Sequence, residues 1–353
     1  MRVGLPALER RPLAWWVLLA LGVPLLLARP ALAQFRAGIQ GTVTDATGLA
    51  VPGVTIVITN EETGVARETV TSDTGFYRVA GLPPGRYRVV ASLAGFKDTV
   101  VERVVVTAEE IRGLDLVLQP GGLQEAVTVT STAPVLATEN ADIGGTLTSV
   151  EIQRLPQVGR DPYELVRLTP GVFGPGARDG AGNSVGLPNQ VGPGGSSSSI
   201  FQTENQVPVT ANGQRVEANN YQLDGVTAMS QAWGGAAVVT PNQESVKEIR
   251  VVSSPYSAEF GRNTGAQVQV VSQNGTNIFH GSAVFKRNTP GLNARQPWGG
   301  PHGERRQRVE QLLSQTAGSL GGPIRRDRLF FFFSFEALRR DRTELGTEWV
   351  ETE

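Results

Sequence analysis

The sequence predicts a mainly β protein built from several units in series, and three observations carry that prediction. Glycine and proline are abundant, 42 and 22 of 353 residues, which favours turns, short strands and loops over helical bundles. After an apolar leader, the chain runs to about residue 119 as short alternating segments cut by turn residues. Near its end, Phe330-Phe331-Phe332-Phe333-Ser334-Phe335 has the character of a lipid-facing strand with an interfacial aromatic girdle, as in a transmembrane β-barrel. The same run also reads as a buried core strand or an aggregation-prone edge.

Composition narrows the chemistry. Charged residues are 18% and hydrophobic residues 40% of the chain, enough to build a core, and the length fits two or three domains. A net charge of −1 supplies no long-range attraction to nucleic acid or an anionic surface. There is no cysteine, which excludes disulfide scaffolds and thiolate metal sites. The two histidines, His280 and His302, are far apart, whereas a catalytic zinc takes several imidazoles at close spacing. No P-loop, GxSxG or HExxH motif is present, so neither enzyme, metal nor cofactor is expected.

Taken in order, residues 1–33 read as a signal peptide. Arg2, Arg10 and Arg11 are basic, residues 13–28 are apolar, and Ala31-Leu32-Ala33 fits small-x-small cleavage between Ala33 and Gln34. The alternative is a retained anchor, against which stand the short apolar stretch and Pro24. Residues 36–119 carry about seven alternating runs with turns at Asp45-Ala46-Thr47-Gly48, Asp73-Thr74-Gly75 and Leu82-Pro83-Pro84-Gly85, the pattern of a seven-stranded antiparallel β-sandwich. Residues 120–132 form a linker containing Glu125-Ala126-Val127-Thr128-Val129-Thr130, whose β-branched alternation suits an extended edge strand.

Residues 133–275 mix helices and strands, an α+β unit. Thr148-Ser149-Val150-Glu151 fits a capping box with Pro156 as the stop. Asp161-Pro162 starts a second helix ending near Thr169-Pro170-Gly171. Residues 174–199 are rich in Gly, Ser and Pro and read as a flexible loop or a ligand-contacting one. Asn212-Gly213 and Asp224-Gly225 supply left-handed turn positions. Residues 276–353 begin a barrel: a strand over 279–286, a polar Arg-rich loop over 288–309, and a hairpin of 312–320 with 329–338 turning across 321–328.

Two of these units resemble known families. Gly41-Thr42-Val43-Thr44-Asp45, Val51-Pro52-Gly53-Val54, Thr71-Ser72-Asp73-Thr74-Gly75-Phe76-Tyr77 and Leu82-Pro83-Pro84-Gly85-Arg86-Tyr87 resemble the carboxypeptidase-regulatory-like domain. That resemblance implies a carbohydrate-binding-like, transthyretin-like sandwich without peptidase activity. Sugar binding is one role for it, with Tyr77 and Tyr87 either as stacking surfaces or as strand-face packing. The motif train Ala211-Asn212-Gly213-Gln214-Arg215, Asn219-Asn220-Tyr221-Gln222-Leu223-Asp224-Gly225-Val226, Pro241-Asn242-Gln243-Glu244-Ser245-Val246-Lys247-Glu248-Ile249-Arg250-Val251, Tyr256-Ser257-Ala258-Glu259-Phe260-Gly261-Arg262 and Gly265-Ala266-Gln267-Val268-Gln269-Val270-Val271-Ser272 is similar to the plug of TonB-dependent outer-membrane receptors. It stands nearest the Oar-like subgroup, which opens with a carboxypeptidase-regulatory-like domain.

The resemblance implies a receptor that takes up a large or scarce solute, with the plug gating the barrel. It also implies that residues 125–130 are the TonB box, captured by the inner-membrane protein TonB through strand addition. The alternative is the ordinary first strand of the next unit. Arg215, Asp224, Glu248, Glu259 and Arg262 are then plug–barrel contacts or fold-stabilising ion pairs. Implied partners are TonB, an extracellular solute such as a glycan or peptide, and outer-membrane lipid, with no nucleic acid. The expected location is the outer membrane, with the N-terminal units in the periplasm. About three barrel strands fall within the sequence where plugged transporters use about 22, so a fragment lacking most of the barrel is expected. A second functional reading is an exported carbohydrate-binding or surface interaction module.

Overall fold

Alternation decides the first unit. In β2 (Thr55–Asn60) every second side chain is buried, and in β5 (Gly85–Ser92) Tyr87, Val89 and Ala91 point inward. A strand whose side chains alternate in this way buries one face on a partner sheet. The computed structural model describes residues 37–121, 126–130, 143–157, 159–174, 204–254, 260–261, 263–292 and 311–342. The leader, with Ala33 and Gln34, lies outside them.

One sandwich sheet centres on β1 (Gly38–Asp45), which pairs antiparallel with β4 (Phe76–Ala80) and in parallel with β7 (Ile111–Gly113) and β8 (Leu116–Leu118). The other runs β3-β2-β5-β6-β9, with β3 at Ala66–Val70, β6 at Asp98–Val106 and β9 at Ala126–Thr130. Ile39, Val43, Ile56, Ile58, Val104 and Leu118 fill the space between the sheets.

The last alternating run, residues 114–118, yields only β8, and β7 is a further strand just before it. Gly41 lies so close to the chain between β7 and β8 that a Cβ there would meet Leu114 O at 2.0 Å. At the break, the Asp115 carboxylate accepts from the Thr42 N–H at 2.7 Å and its hydroxyl at 2.9 Å, replacing the interrupted ladder. The sandwich thus has eight strands of its own and takes a ninth from the linker.

The central unit is a five-stranded sheet ordered β10-β15-β16-β13-β14. Its strands are β10 (Ile143–Thr148), β13 (Asn220–Leu223), β14 (Val226–Thr227), β15 (Val246–Ser254) and β16 (Gln267–Ser272). β11 (Val172–Phe173) and β12 (Thr210–Ala211) form a separate small pair. Helix α1 (Ser149–Arg154) begins on the expected capping box of Thr148 and Glu151, and Leu155 ends it. The segment Pro162–Leu168, capped by Asp161 as expected, is a 3₁₀ helix. The Thr169 N–H closes it on Val166 O at 3.1 Å, and the tighter i→i+3 winding suits so short a piece. Ile152, Tyr163, Val166, Tyr221, Ile249 and Val268 form the core.

Both expected turns have the left-handed geometry. Asn212 and Gly213 stand at φ 52° and 73°, and Asp224 and Gly225 at 49° and 79°. Asn and Asp tolerate this region because the short polar side chain bonds locally.

The third sheet is an antiparallel meander of β17 (His280–Asn288), β18 (Gln311–Arg325) and β19 (Leu329–Arg342). The β18–β19 turn is tighter than expected, because Gly321, Gly322 and Pro323 continue the strand. These glycines make room for rings: a Cβ on Gly322 would meet the Phe279 ring at 2.3 Å, and one on Gly321 the Phe332 ring at 2.9 Å. The chain reverses instead at Arg326-Asp327-Arg328, with Asp327 at φ 61°.

Candidate functional site: a polar seam and an edge strand

Register sorts the third sheet into two faces. Ser282, Ser319 and Ser334 stand side by side across its strands, as do Ala283, Gly318 and Phe335 on the opposite face. The second face is exposed and apolar at Phe285, Leu320, Phe333 and Phe335. The first carries the serines, Gln315 and Glu336, and it bonds to the central unit. A sheet that is polar toward its protein partner and apolar outward inverts the soluble pattern and matches a membrane barrel wall.

Arg160 organises the contact. It sits at φ 61° and is 4% exposed. Its Nη2 donates to Glu244 Oε1 at 2.7 Å and its Nε to Glu336 Oε1 at 3.3 Å. One buried cation thus spans two carboxylates, one from the short 3₁₀ turn Gln243–Ser245 and one from β19. Ser282 donates its hydroxyl hydrogen to Glu244 Oε2 and is bonded in turn to Ser319. Asn242 donates to Ser334 Oγ at 3.1 Å, Gln315 to Gly159 O at 3.1 Å, and Lys286 to Gln157 O at 3.0 Å. Burial strengthens the charge-assisted bonds among Arg160, Glu244, Glu336 and Ser282 and makes an unpaired member costly.

Beside the seam, Asp161 is fully buried, and desolvation pushes its carboxyl up to about 7. Hydrogen bonds from Asn205 Nδ2 at 2.7 Å and the Tyr163 N–H at 2.9 Å act in the opposite sense. Burial likewise raises the phenols of Tyr163 and Tyr221, whose rings meet edge-on at 4.8 Å.

The motif residues read from the sequence are placed elsewhere. Asn212 donates to Ser253 O at 2.6 Å, and Asp224 accepts from the Ser272 N–H at 2.8 Å and its hydroxyl at 2.7 Å. Both hold their turns by hydrogen bonds within the central unit, Asp224 through Ser272. Arg215 is exposed and precedes the 3₁₀ turn Val216–Ala218 without a side-chain cap bond. Gly213 and Gly225 complete the two turns, and Gly261 is exposed outside any strand. Glu259 and Arg262 lie outside the described residues.

Glu248 faces the sandwich. It accepts from the Ala108 N–H, and burial raises its carboxyl against the pull of that bond and of Lys247 and Arg250. Its strand neighbours reach the same way: Arg250 bonds Ala108 O at 3.0 Å and Glu110 Oε2 at 3.2 Å, and Lys247 bonds Glu62 Oε2 at 3.0 Å. Sequence reasoning passed over Arg160 and Glu336 and took Glu244 only as part of a longer motif. One signal was available: Glu336 continues the alternation of Ser334 in an otherwise aromatic strand, and a lone carboxylate in phase with serine marks the inward face.

Of the residues expected to form a TonB box, Ala126, Val127, Thr128, Val129 and Thr130 form β9, while Glu125 lies outside the described residues. β9 runs parallel to β6, in register from Asp98↔Ala126 to Glu102↔Thr130, at the edge of the second sandwich sheet.

The chain's two ends of known kind now have relatives. Residues 38–119 match the carboxypeptidase regulatory-like domain, and residues 271–352 match an outer membrane beta barrel domain. The chain thus joins a segment similar to the carboxypeptidase regulatory-like domain to one similar to an outer membrane beta barrel domain. Among curated proteins it is similar to the TonB-dependent transporter Oar of Myxococcus xanthus, at 30% identity over 310 residues, 84% of this chain and 26% of that protein. The chain spans about a quarter of that relative's length. Solved structures with partial similarity include the Bacillus anthracis TIE protein (21% identity, TM-score 0.22, 24% of this chain and 17% of that one). Another is a putative carbohydrate binding protein from Bacteroides uniformis (24% identity, TM-score 0.21, 24% of this chain and 41% of that one). At these scores neither bears on function.

Proposed function

We propose that this chain carries the leader, accessory sandwich, coupling strand, plug and first barrel strands of a TonB-dependent outer-membrane receptor for a large or scarce solute. The central unit is the plug and residues 126–130 belong to the TonB box. Residues 1–33 direct export, and the sandwich and coupling strand face the periplasm. The observation that carries this reading is the third sheet, apolar outward and bound through its polar face to the central unit by Arg160. A plug must be held in its barrel by contacts that can rearrange, and polar pairs with directional geometry can exchange partners where an apolar core would have to unpack. Energy for that rearrangement comes from TonB pulling on the extended strand, whose main-chain hydrogen bonds give affinity with little demand on sequence. Tyr77 and Tyr87 offer no sugar platform, since both are buried and donate to Leu114 O and Pro83 O.

The test is in-cell photocrosslinking, with a photoreactive residue in place of Thr128 and the outer-membrane fraction probed for TonB. A TonB adduct is expected. If none forms while an established receptor crosslinks in the same cells, the coupling role is lost. Glycans and peptides are the solute classes to screen.

A further inference from the structure

We propose that the β6 edge of the sandwich is a resting dock for the coupling strand, so that the sandwich and TonB compete for residues 126–130. The proposal rests on reading those residues as the TonB box. Three observations carry it.

First, the strand is already occupied. β9 pairs with β6 over five residues, from Asp98↔Ala126 to Glu102↔Thr130, and those are the main-chain groups that strand addition by a partner would need on that side.

Second, the dock is prepared by the sandwich itself. The chain leading to β9 is pinned along the start of β6: Thr99 Oγ1 donates to Val117 O at 3.0 Å, Lys97 N to Gln119 O at 2.8 Å, and Gly121 N to Gly95 O at 3.2 Å. Phe96 and Pro120 form a bridge in the same place. At the far end the paired stretch stops where Arg103 turns to φ 56°, its N–H bonded to Glu61 Oε1 at 3.0 Å. The dock therefore has a defined entry, register and end.

Third, the docked strand is dispensable to the fold that holds it. β9 joins its sheet at the edge, through β6, and a parallel edge pair is the weaker kind of ladder. β9 can leave without dismantling the sandwich. In this arrangement the sandwich keeps the coupling strand ordered and covered until TonB displaces it.

The experiment uses the full chain in detergent, the C-terminal domain of TonB from the source organism, and a synthetic peptide of residues 122–132. Three readouts are taken. The free chain is expected to show slowed amide exchange over 126–130. TonB is expected to bind the peptide at least about tenfold more tightly than the chain, a difference of about 1.4 kcal/mol. On TonB binding, amides of residues 98–102 are expected to exchange faster as β6 loses its partner. If the peptide and the chain bind equally, or residues 98–102 stay protected when TonB is bound, there is no competition and the dock is overturned while the TonB box stands. If the peptide itself fails to bind, the box reading falls, and the dock with it.

Discussion

Arg160 is buried between Glu244 and Glu336, so its removal leaves two carboxylates facing each other with no cation. Arg160→Ala should destabilise the contact between the central unit and the third sheet by about 3–5 kcal/mol, the range for breaking a buried pair. Denaturant unfolding of the chain in detergent measures this, and a loss below about 1 kcal/mol would show the seam to be wet and weak. Arg160→Lys should recover only part, since an ammonium cannot present the guanidinium's two separate donors. Asp161 makes a pH prediction. Its carboxyl is raised from 3.8 to about 7 by burial, with Glu164 adding to the rise. Protonation therefore favours the folded state: the stability it contributes is full below about pH 4 and is lost as pH rises toward 7. Asp161→Asn should flatten this slope in thermal melts taken between pH 4 and 7. An unchanged slope would place its origin in another group.

At the scale of elements, glycines decide two close approaches. A Cβ on Gly41 would meet the Leu114 carbonyl at 2.0 Å, backbone that cannot swing aside. Gly41→Ala should cost more than about 1 kcal/mol and separate β1 from the β7–β8 break, read as lost amide protection at residues 40–42. Gly322 in β18 faces the Phe279 ring, so Gly322→Val should expel that ring and weaken the turn end of the β18–β19 hairpin. Most strands of the sandwich and the long hairpin were legible from alternation, but Ile111–Gly113 and Ile143–Thr148 were not; the turns at Asn212-Gly213 and Asp224-Gly225 were legible from turn chemistry alone. The extent of β18 was not. Gly321-Gly322-Pro323 reads as a turn by composition, yet here it is strand, because the neighbouring aromatics need the space a side chain would fill. The short helix at Pro162 shows a similar limit: its cap was legible, but its 3₁₀ winding was not.

Across the whole chain, three units are held by two polar seams. β15 reaches the sandwich through Lys247, Glu248 and Arg250, while the 3₁₀ turn just before it reaches the barrel strands through Asn242 and Glu244. One stretch of about ten residues thus touches both neighbours, and movement there is felt on both sides. Reversing a charge at the sandwich seam, Arg250→Glu, should set it against Glu110 and Glu248 and loosen the sandwich from the central unit without unfolding either. Limited proteolysis should then cut faster between residues 119 and 143, with the sandwich surviving as a fragment. An unchanged digestion pattern would mean the seam contributes little to holding the units together.

By itself the sequence determined the class of fold, the order of the units, the main caps and turns, and the motifs that resemble a receptor. All of these depend on local chemistry or on periodicity along the chain, which a linear reading can follow. Only the tertiary structure decided which charges meet. Arg160, Glu244 and Glu336 are separated by 84 and 92 residues, and no local pattern marks them as partners. The same holds for β9: its extended character was legible, but its partner was not. Parallel pairing with β6 depends on the chain passing through β7 and β8 on the opposite sheet, and strand pairing through backbone groups leaves little trace in side-chain sequence.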